Sequence, residues 1–206
     1  AFTAMEPPVA LDPQSISEEK HKVFRSLLPI EPGDVVRGQY DGYLAEPGVE
    51  PGSTTETFIA LKCHVDNWRW ADVPFYLRTG KQMAAGQRII SIAFKEPPKS
   101  MFPPGSGIGL EGPDHLTFDL ADSSKMSLSF YGKRPGPGFE LRKLSMQFAM
   151  ADTAWAGSGL EAYERLILEA VEGNHTLFTS AAGVERLWEV PQPMLDDPPP
   201  VHRYPR

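Results

Sequence analysis

The stretch STTETFIALKCHVDNWRWADVPFYLRTGK, residues 53–81, carries the clearest signal for the fold. Residues 57–65 alternate between apolar and more polar side chains, which is the period-two pattern of a half-buried strand. Asp66 and Asn67 then predict a turn. Trp68, Arg69 and Trp70 carry the chain toward a second strand, which we expect from Val73 to Arg78. The stretch therefore predicts a strand, a turn and a second strand.

The second predicted strand ends in Thr79-Gly80-Lys81, a sequence suited to holding an anion. A glycine allows close backbone approach, and Lys81 together with Arg78 supplies positive charge. Because R-T-G-K lacks the upstream glycine of a P-loop, the pattern does not predict a nucleotide site of that kind. It predicts either a binding site for an anionic group such as a sugar phosphate or a solvated turn that carries two charges.

Composition limits the class of protein. The 206 residues include 41% hydrophobic residues, enough for one sizeable core, and the formal net charge is −7. An acidic chain is not attracted to nucleic acid or to an anionic membrane. No apolar run approaches the ~20 residues of a membrane span. The single cysteine, Cys63, excludes an internal disulfide framework, fits a reducing compartment and is expected to pack in the core.

The remaining chain predicts two main helices among strands. Ser15-x-x-Glu18 and Ser158-x-x-Glu161 match capping boxes, and a shorter helix is expected from about Ala182 to Val190. On the first helix, His21 is expected to be solvated, with no second ligand at metal-site spacing, and the charged Glu18, Glu19, Lys20 and Lys22 should form a wet face.

Alternation predicts further strands at 34–43, 88–95, 116–120, 126–130 and 139–148, with a long loop at 96–113. Gly105 to Gly112 follows no predicted strand and is expected to be loop. The sequence thus predicts an α+β fold with a large, mostly antiparallel sheet and helices segregated to one face. Residues 191–206 should form an extended, partly mobile, proline-rich tail.

The ordered motifs closely resemble the C-terminal domain of glucose-6-phosphate dehydrogenase. The resemblance extends from about Ala4 to Val201 and includes RGQY at 37–40, STTETF at 53–58, NWRW at 67–70, VPFYLRTGK at 73–81, AYERLIL at 162–168 and LW at 187–188. It implies a domain over residues 1–190, followed by the 191–206 tail and preceded by a dinucleotide-binding domain that this chain does not contain.

The resemblance also implies a function for the full-length protein. Members of the family oxidise glucose 6-phosphate to 6-phosphogluconolactone in the pentose phosphate pathway, in the cytoplasm, with hydride transfer to NADP. In the family, the catalytic base and most of the coenzyme site precede this region, so the chain alone is expected to be inactive and to hold no catalytic, coenzyme-binding or metal-binding residue. What the resemblance assigns to this chain is Lys81, which reaches the sugar phosphate, whereas Arg78 is expected to form a structural ion pair.

Some positions depart from the family pattern. Gly86 stands where many members have a second cation, with Arg88 nearby as a candidate substitute, and Ala121-Asp122 replaces a glutamine and a proline. Gln87, Ser91 and Asp119 occupy places where some members use basic residues to hold a second, structural NADP. Because an aspartate repels phosphate, no structural nucleotide is expected.

The family also implies assembly, with the sheet of one subunit packed on its mate in a homodimer or homotetramer. Three functions are therefore open: the substrate-side and dimerisation domain of the enzyme, a non-catalytic assembly module or degenerate paralogue, and an independent phosphate-binding regulator. Gly86 and Ala121 support the second, and only R-T-G-K supports the third.

Overall fold

Strands supply most of the regular structure in the computed structural model, which describes residues 1–120, 124–149 and 161–206. The strands are β1 Val35–Tyr40, β2 Phe58–His64, β3 Pro74–Gly80, β4 Ile89–Ala93, β5 His115–Asp119, β6 Lys125–Lys133, β7 Leu141–Ala149 and β8 Val201–Tyr204. The helices are α1 Pro13–Ser26, α2 Ala162–Val171, α3 Ala181–Glu189 and α4 Gln192–Asp196. The α+β class is confirmed. Within the described residues the strands form two four-stranded sheets, ordered β3-β2-β1-β8 and β4-β5-β6-β7.

The chain divides into two compact units. The first unit consists of Ala1–Ala84 and Leu160–Arg206, and the second of Ala85–Gly159. The first sheet and the four helices belong to the first unit, whereas the second sheet belongs to the second. Pairing is antiparallel throughout except for β8, which lies parallel to β1.

The core of the first unit lies against the apolar side of β2. The alternation predicted for this strand is confirmed, because Ile59, Leu61 and Cys63 pack on the buried cluster of Ile30, Val35, Val190 and Met194. Burial raises the pKa of the Cys63 thiol, which disfavours the reactive thiolate. The prediction that Cys63 packs in the core is therefore confirmed.

Helix α1 begins earlier than predicted, and Ser15 is not its cap. The Asp12 carboxylate accepts hydrogen bonds from the Ser15 amide at 2.9 Å and the Ser15 hydroxyl at 2.8 Å, with Pro13 at the first helical position. Proline fits there because its missing N–H would have no helical partner. The helix ends at Ser26, since Leu27 pairs with Val65 beside the end of β2.

The charged face of α1 is only partly solvated, so this prediction is wrong for Glu19 and Lys20. Glu19 and Lys20 are buried. The Lys20 ammonium donates to the carbonyl of Phe178 at 2.7 Å, and Glu19 is paired with Lys22. His21 is half-buried, with Nε2 2.6 Å from the Ser180 hydroxyl. The partners of Lys20 and His21 lie more than 150 residues along the chain, so a helical wheel cannot show them.

The second long helix, α2, is capped by Glu161 rather than by the predicted Ser158, which lies outside the described residues. Glu161 and Glu164 form a reciprocal capping box. The prediction of an extended, partly mobile tail is wrong, because residues 191–206 contain the helix α4 and the strand β8. Strand β8 pairs with β1 from Arg37 opposite Val201 to Tyr40 opposite Tyr204.

The second sheet has one apolar face. Register places Ile90, Phe118, Met126 and Phe148 in one row across all four strands. On the other face, the neighbouring row consists of polar residues, namely Ser91, Thr117, Ser127 and Gln147. We call the first side the apolar face of the second sheet; its members are Ile90, Ile92, Leu116, Phe118, Met126, Leu128, Phe130, Leu144, Met146 and Phe148.

Candidate functional site

Lys81 follows directly on Gly80, the last residue of β3, and its side chain is exposed. Within the described parts of the chain, no hydrogen bond or ion pair joins its ammonium to another residue. An exposed lysine side chain is usually solvated and mobile, and ordering it on binding costs free energy. This cost is smaller where the backbone that carries the side chain is already fixed. The backbone at this position is fixed.

Both main-chain polar groups of Lys81 are bonded. Its amide donates to the carbonyl of Thr57 at 2.8 Å, and its carbonyl accepts from the Tyr204 hydroxyl at 2.8 Å. The next residue, Gln82, has a φ of 53°, a left-handed conformation that non-glycine residues adopt at a cost. The chain therefore turns sharply after Lys81, and hydrogen bonds from two other strand ends hold that turn.

Gly80 allows the close approach expected of it, although the close contact is with protein. A Cβ at this position would lie 2.8 Å from Cδ2 of Phe58 and 2.9 Å from Sδ of Met83. Both distances are shorter than van der Waals contact, so a larger residue would push apart the side chains that surround the turn. The absence of a side chain at Gly80 thus allows the turn at Lys81 to pack directly against Phe58.

The segment before β2 is tied to β1 by side chains of the RGQY motif. Gln39, which is 1% exposed, donates from Nε2 to the carbonyls of Ser53 and Thr55, at 3.0 Å each. Arg37 binds the Glu56 carboxylate at 2.8 Å and also donates to the carbonyl of Thr54. The RGQY motif and the 53–58 segment thus order each other by side-chain hydrogen bonds and an ion pair.

Gln39→Met should destabilise the protein, because it leaves two carbonyls of the 53–55 segment without their donor. We expect the free energy of unfolding to fall by about 1–3 kcal/mol, measured by urea denaturation. Gln87→Met, a change at an exposed glutamine, is the matched control and should have little effect. Equal effects of the two substitutions would contradict the assigned role of Gln39.

The Arg37–Glu56 pair makes stability dependent on pH. Burial, the largest single influence, would by itself raise the pKa of Glu56, but the hydrogen bond from Arg37, a backbone hydrogen bond and the charge of Arg37 together outweigh it and hold that pKa below its ordinary value of 4.5. A carboxyl group with a lowered pKa stabilises the folded state above its ordinary pKa, and this contribution is lost as the pH falls through the lowered value.

Glu56→Gln should therefore cost stability near neutrality and progressively less in acid. We expect the gap between the urea midpoints of the native protein and this variant to shrink between about pH 6 and about pH 3.5. Glu50→Gln, at an exposed position, should leave the midpoint unchanged across the range. A gap that stays constant down to the acid end would show that Glu56 acts by packing alone.

The other positions singled out in the sequence are Arg78, Gly86, Arg88 and Ala121-Asp122. Arg78 is exposed, and no carboxylate among the described residues pairs with it, so its ion pair stays a prediction. Gly86 and Arg88 belong to the second unit, where the Arg88 side chain is exposed. The prediction that Arg88 substitutes for the missing second cation stays a prediction, and Ala121-Asp122 lies outside the described residues.

The glycine-rich segment does not fit a dinucleotide. Gly107 and Gly112 both have positive φ, and a Cβ at Gly107 would lie 2.7 Å from the carbonyl oxygen of Leu141. The run is separated from the end of β4 by residues 94–104 and leads into β5 rather than into a helix. It therefore lacks the helix N-terminus that binds a pyrophosphate in a dinucleotide fold. The segment is a loop, as predicted.

Among the described residues, no group of three or more His, Cys, Asp or Glu side chains is arranged to hold a metal ion. None of the helices in the described ranges is long and apolar enough to cross a membrane.

Sequence reasoning missed Tyr204. Its hydroxyl reaches both Thr57 and the carbonyl of Lys81, which is 123 positions away along the chain. The only local signal was an aromatic residue within the short V-H-R-Y run, which the surrounding prolines obscured.

Comparison with known proteins places the whole chain in one group. A family model described as glucose-6-phosphate dehydrogenase, C-terminal domain, matches residues 1–206. Among curated relatives, glucose-6-phosphate 1-dehydrogenase from Aggregatibacter actinomycetemcomitans is 41% identical over 211 residues, covering 95% of this chain and 41% of that protein. The enzyme from Rhizobium meliloti is 40% identical over 210 residues, covering 94% and 42%. The chain thus spans about two fifths of the length of the curated relatives it matches.

Solved structures agree. The crystal structure of glucose-6-phosphate 1-dehydrogenase from Mycobacterium avium matches with a TM-score of 0.86 at 32% identity, over 99% of this chain and 42% of that one. A glucose-6-phosphate dehydrogenase in complex with its substrate, glucose 6-phosphate, matches with a TM-score of 0.85 at 30% identity, over 98% and 43%.

Proposed function

Because the chain belongs to the glucose-6-phosphate dehydrogenase family, as its C-terminal domain, we propose that it is the substrate-side domain of an enzyme that oxidises glucose 6-phosphate. The observation that carries the proposal is the Lys81 ammonium, exposed and without a partner in the described residues, on a turn whose backbone is bonded on both sides. A cation held in this way binds phosphate oxygens by charge-assisted hydrogen bonds at a small ordering cost. Lys81→Ala in the full-length enzyme tests the proposal.

The reaction requires more than this chain supplies. Hydride leaves C1 of the sugar for the nicotinamide of NADP, and the proton of the C1 hydroxyl passes to a general base. We propose that the base and the coenzyme site belong to the part of the full-length protein outside these residues, since the chain spans about two fifths of its relatives. On this proposal the chain alone binds sugar phosphate weakly and has no activity. We also expect no second nucleotide beside Asp119.

We further propose that the full-length protein forms a homodimer through the apolar face of the second sheet. Several side chains on this face are well exposed, including Met146 at 60%, Phe148 at 50% and Leu144 at 48%. A continuous apolar sheet face of this kind marks an interaction surface. A second copy fits this surface because a two-fold axis brings the same apolar face of each subunit together. An obligate dimer buries at least ~2,000 Å² of such surface.

One observation favours a second candidate, a paralogue that assembles but has lost substrate affinity. Gly86, five residues after Lys81, has no side chain to supply a second cation. Calorimetric titration of the full-length protein with glucose 6-phosphate separates the two candidates. Binding supports the enzyme, whereas absence of binding in an intact dimer supports the paralogue. The single cysteine, which is free, favours a reducing compartment such as the cytoplasm for either candidate.

A further inference from the structure

We propose that Tyr204, at the end of β8, is a positioning residue for the phosphate-binding lysine: its hydroxyl sets the backbone position of Lys81. This inference rests on the phosphate-binding role proposed above for Lys81. Its basis is a chain of hydrogen bonds that connects one end of each of the four strands of the first sheet.

Each donor in this chain of hydrogen bonds points toward the next residue, from Tyr40 through Thr57 and Tyr204 to Lys81. The amide of Tyr40 donates to Oγ1 of Thr57 at 3.0 Å, and Oγ1 of Thr57 lies 2.9 Å from the Tyr204 hydroxyl. That hydroxyl lies 2.8 Å from the carbonyl of Lys81 and 3.3 Å from the carbonyl of Thr57. A phenol has one proton, and the shorter contact assigns it to Lys81. The Thr57 hydroxyl then donates to Tyr204, so each bond polarises the next.

The ring of Tyr204 is held as firmly as its hydroxyl. It meets the rings of Phe58 and Tyr40 edge to face, with centroids 5.9 Å and 6.4 Å apart. Gly38 makes room for it, because a Cβ at that position would lie 3.1 Å from Cδ1 of Tyr204. The phenol therefore has little freedom to swing away from the Lys81 turn, and pairing of Tyr204 with Tyr40 in the β8–β1 register fixes its backbone.

This arrangement matters because Gln82 holds a left-handed conformation directly after Lys81. Such a conformation persists only where the surroundings determine it. The Tyr204 hydroxyl bonds the carbonyl on one side of the turn, while the Lys81 amide bonds Thr57 on the other. Without the hydroxyl, the carbonyl is released, the turn can relax, and the ammonium is spread over more positions. Phosphate binding weakens, but the chemical step is untouched.

The test uses Tyr204→Phe in the full-length enzyme, which removes the hydroxyl and keeps the ring. We expect the KM for glucose 6-phosphate to rise roughly 3- to 10-fold, as loss of one neutral hydrogen bond predicts, with kcat within about 2-fold. The KM for unphosphorylated glucose should not change. Tyr76→Phe, on the exposed side of β3 with no hydrogen bond to its hydroxyl in the described residues, is the matched control and should behave as the native enzyme.

A double substitution isolates the coupling. In a Lys81→Ala background, Tyr204→Phe should change the KM for glucose 6-phosphate by less than about 2-fold, because the group it positions is gone. Thr57→Val provides a second route, since it removes the middle hydroxyl and should also raise that KM selectively. An equal loss with glucose and with glucose 6-phosphate would show a general structural role and overturn the proposal.

The outcomes separate this proposal from the function on which it rests. If Lys81→Ala raises the KM for glucose 6-phosphate but Tyr204→Phe and Thr57→Val, both folded, do not, the positioning role is wrong and the function of Lys81 stands. If Lys81→Ala leaves that KM unchanged, both the binding role and the positioning role fail.

Discussion

Lys81→Ala in the full-length enzyme is expected to lower kcat/KM for glucose 6-phosphate by roughly 10- to 150-fold, the equivalent of a lost hydrogen bond to a charged group of about 1.5–3 kcal/mol. The expected loss is large because the ammonium has no competing partner within the described chain and stands on a fixed turn. Steady-state kinetics at low ionic strength would measure it, and added salt should narrow the difference.

Two controls identify the phosphate as the group that Lys81 meets. With glucose as substrate there is no phosphate, so Lys81→Ala should cost less than about 2-fold. Arg78→Ala removes an exposed cation from the same strand, three residues earlier, and should have a much smaller effect on either sugar. Equal losses for Lys81→Ala with both sugars, or the same loss for Arg78→Ala, would contradict a specific role for Lys81.

Met146→Glu should separate the dimer of the full-length protein. The substitution places a carboxylate in the middle of the apolar face of the second sheet, where a mate would bury it without a counter-charge. An uncompensated buried charge costs at least about 3 kcal/mol, so the dissociation constant should rise more than about 100-fold. Sedimentation velocity over a range of protein concentrations would measure the change.

Ser145→Glu is the matched control for the dimer. It adds the same charge one residue away on the same strand, but alternation places it on the opposite, polar face. The dimer should survive this change. If the protein dissociated equally with both substitutions, or with neither, the apolar face would not be the subunit interface.

Local patterns predicted the parts of this fold that depend on neighbours in sequence. The alternation of β2 placed Ile59, Leu61 and Cys63 on the buried side, and the position of Gly80 and Lys81 at the strand end followed from the same pattern. The caps were less predictable. Both Asp12 and Ser15 are good caps by residue type, and Pro13 settled the choice in favour of Asp12.

Distant contacts account for the errors. Lys20 is buried because its ammonium finds the carbonyl of Phe178, and residues 201–204 form a strand because β1 offers them a free edge. The prolines before β8 indicate an extended chain, which is also the conformation of a strand. No local rule distinguishes an extended tail from a strand that pairs with a distant partner.

The sequence by itself determined the α+β class, the strand that ends in Gly80-Lys81 and the cation offered there, because residue type and a period of two are properties of a short stretch. Only the tertiary structure decided how that cation is held. The hydroxyl that bonds Lys81 comes from Tyr204, 123 residues away, and spacing along a chain carries no information about which distant side chains meet when strands pair.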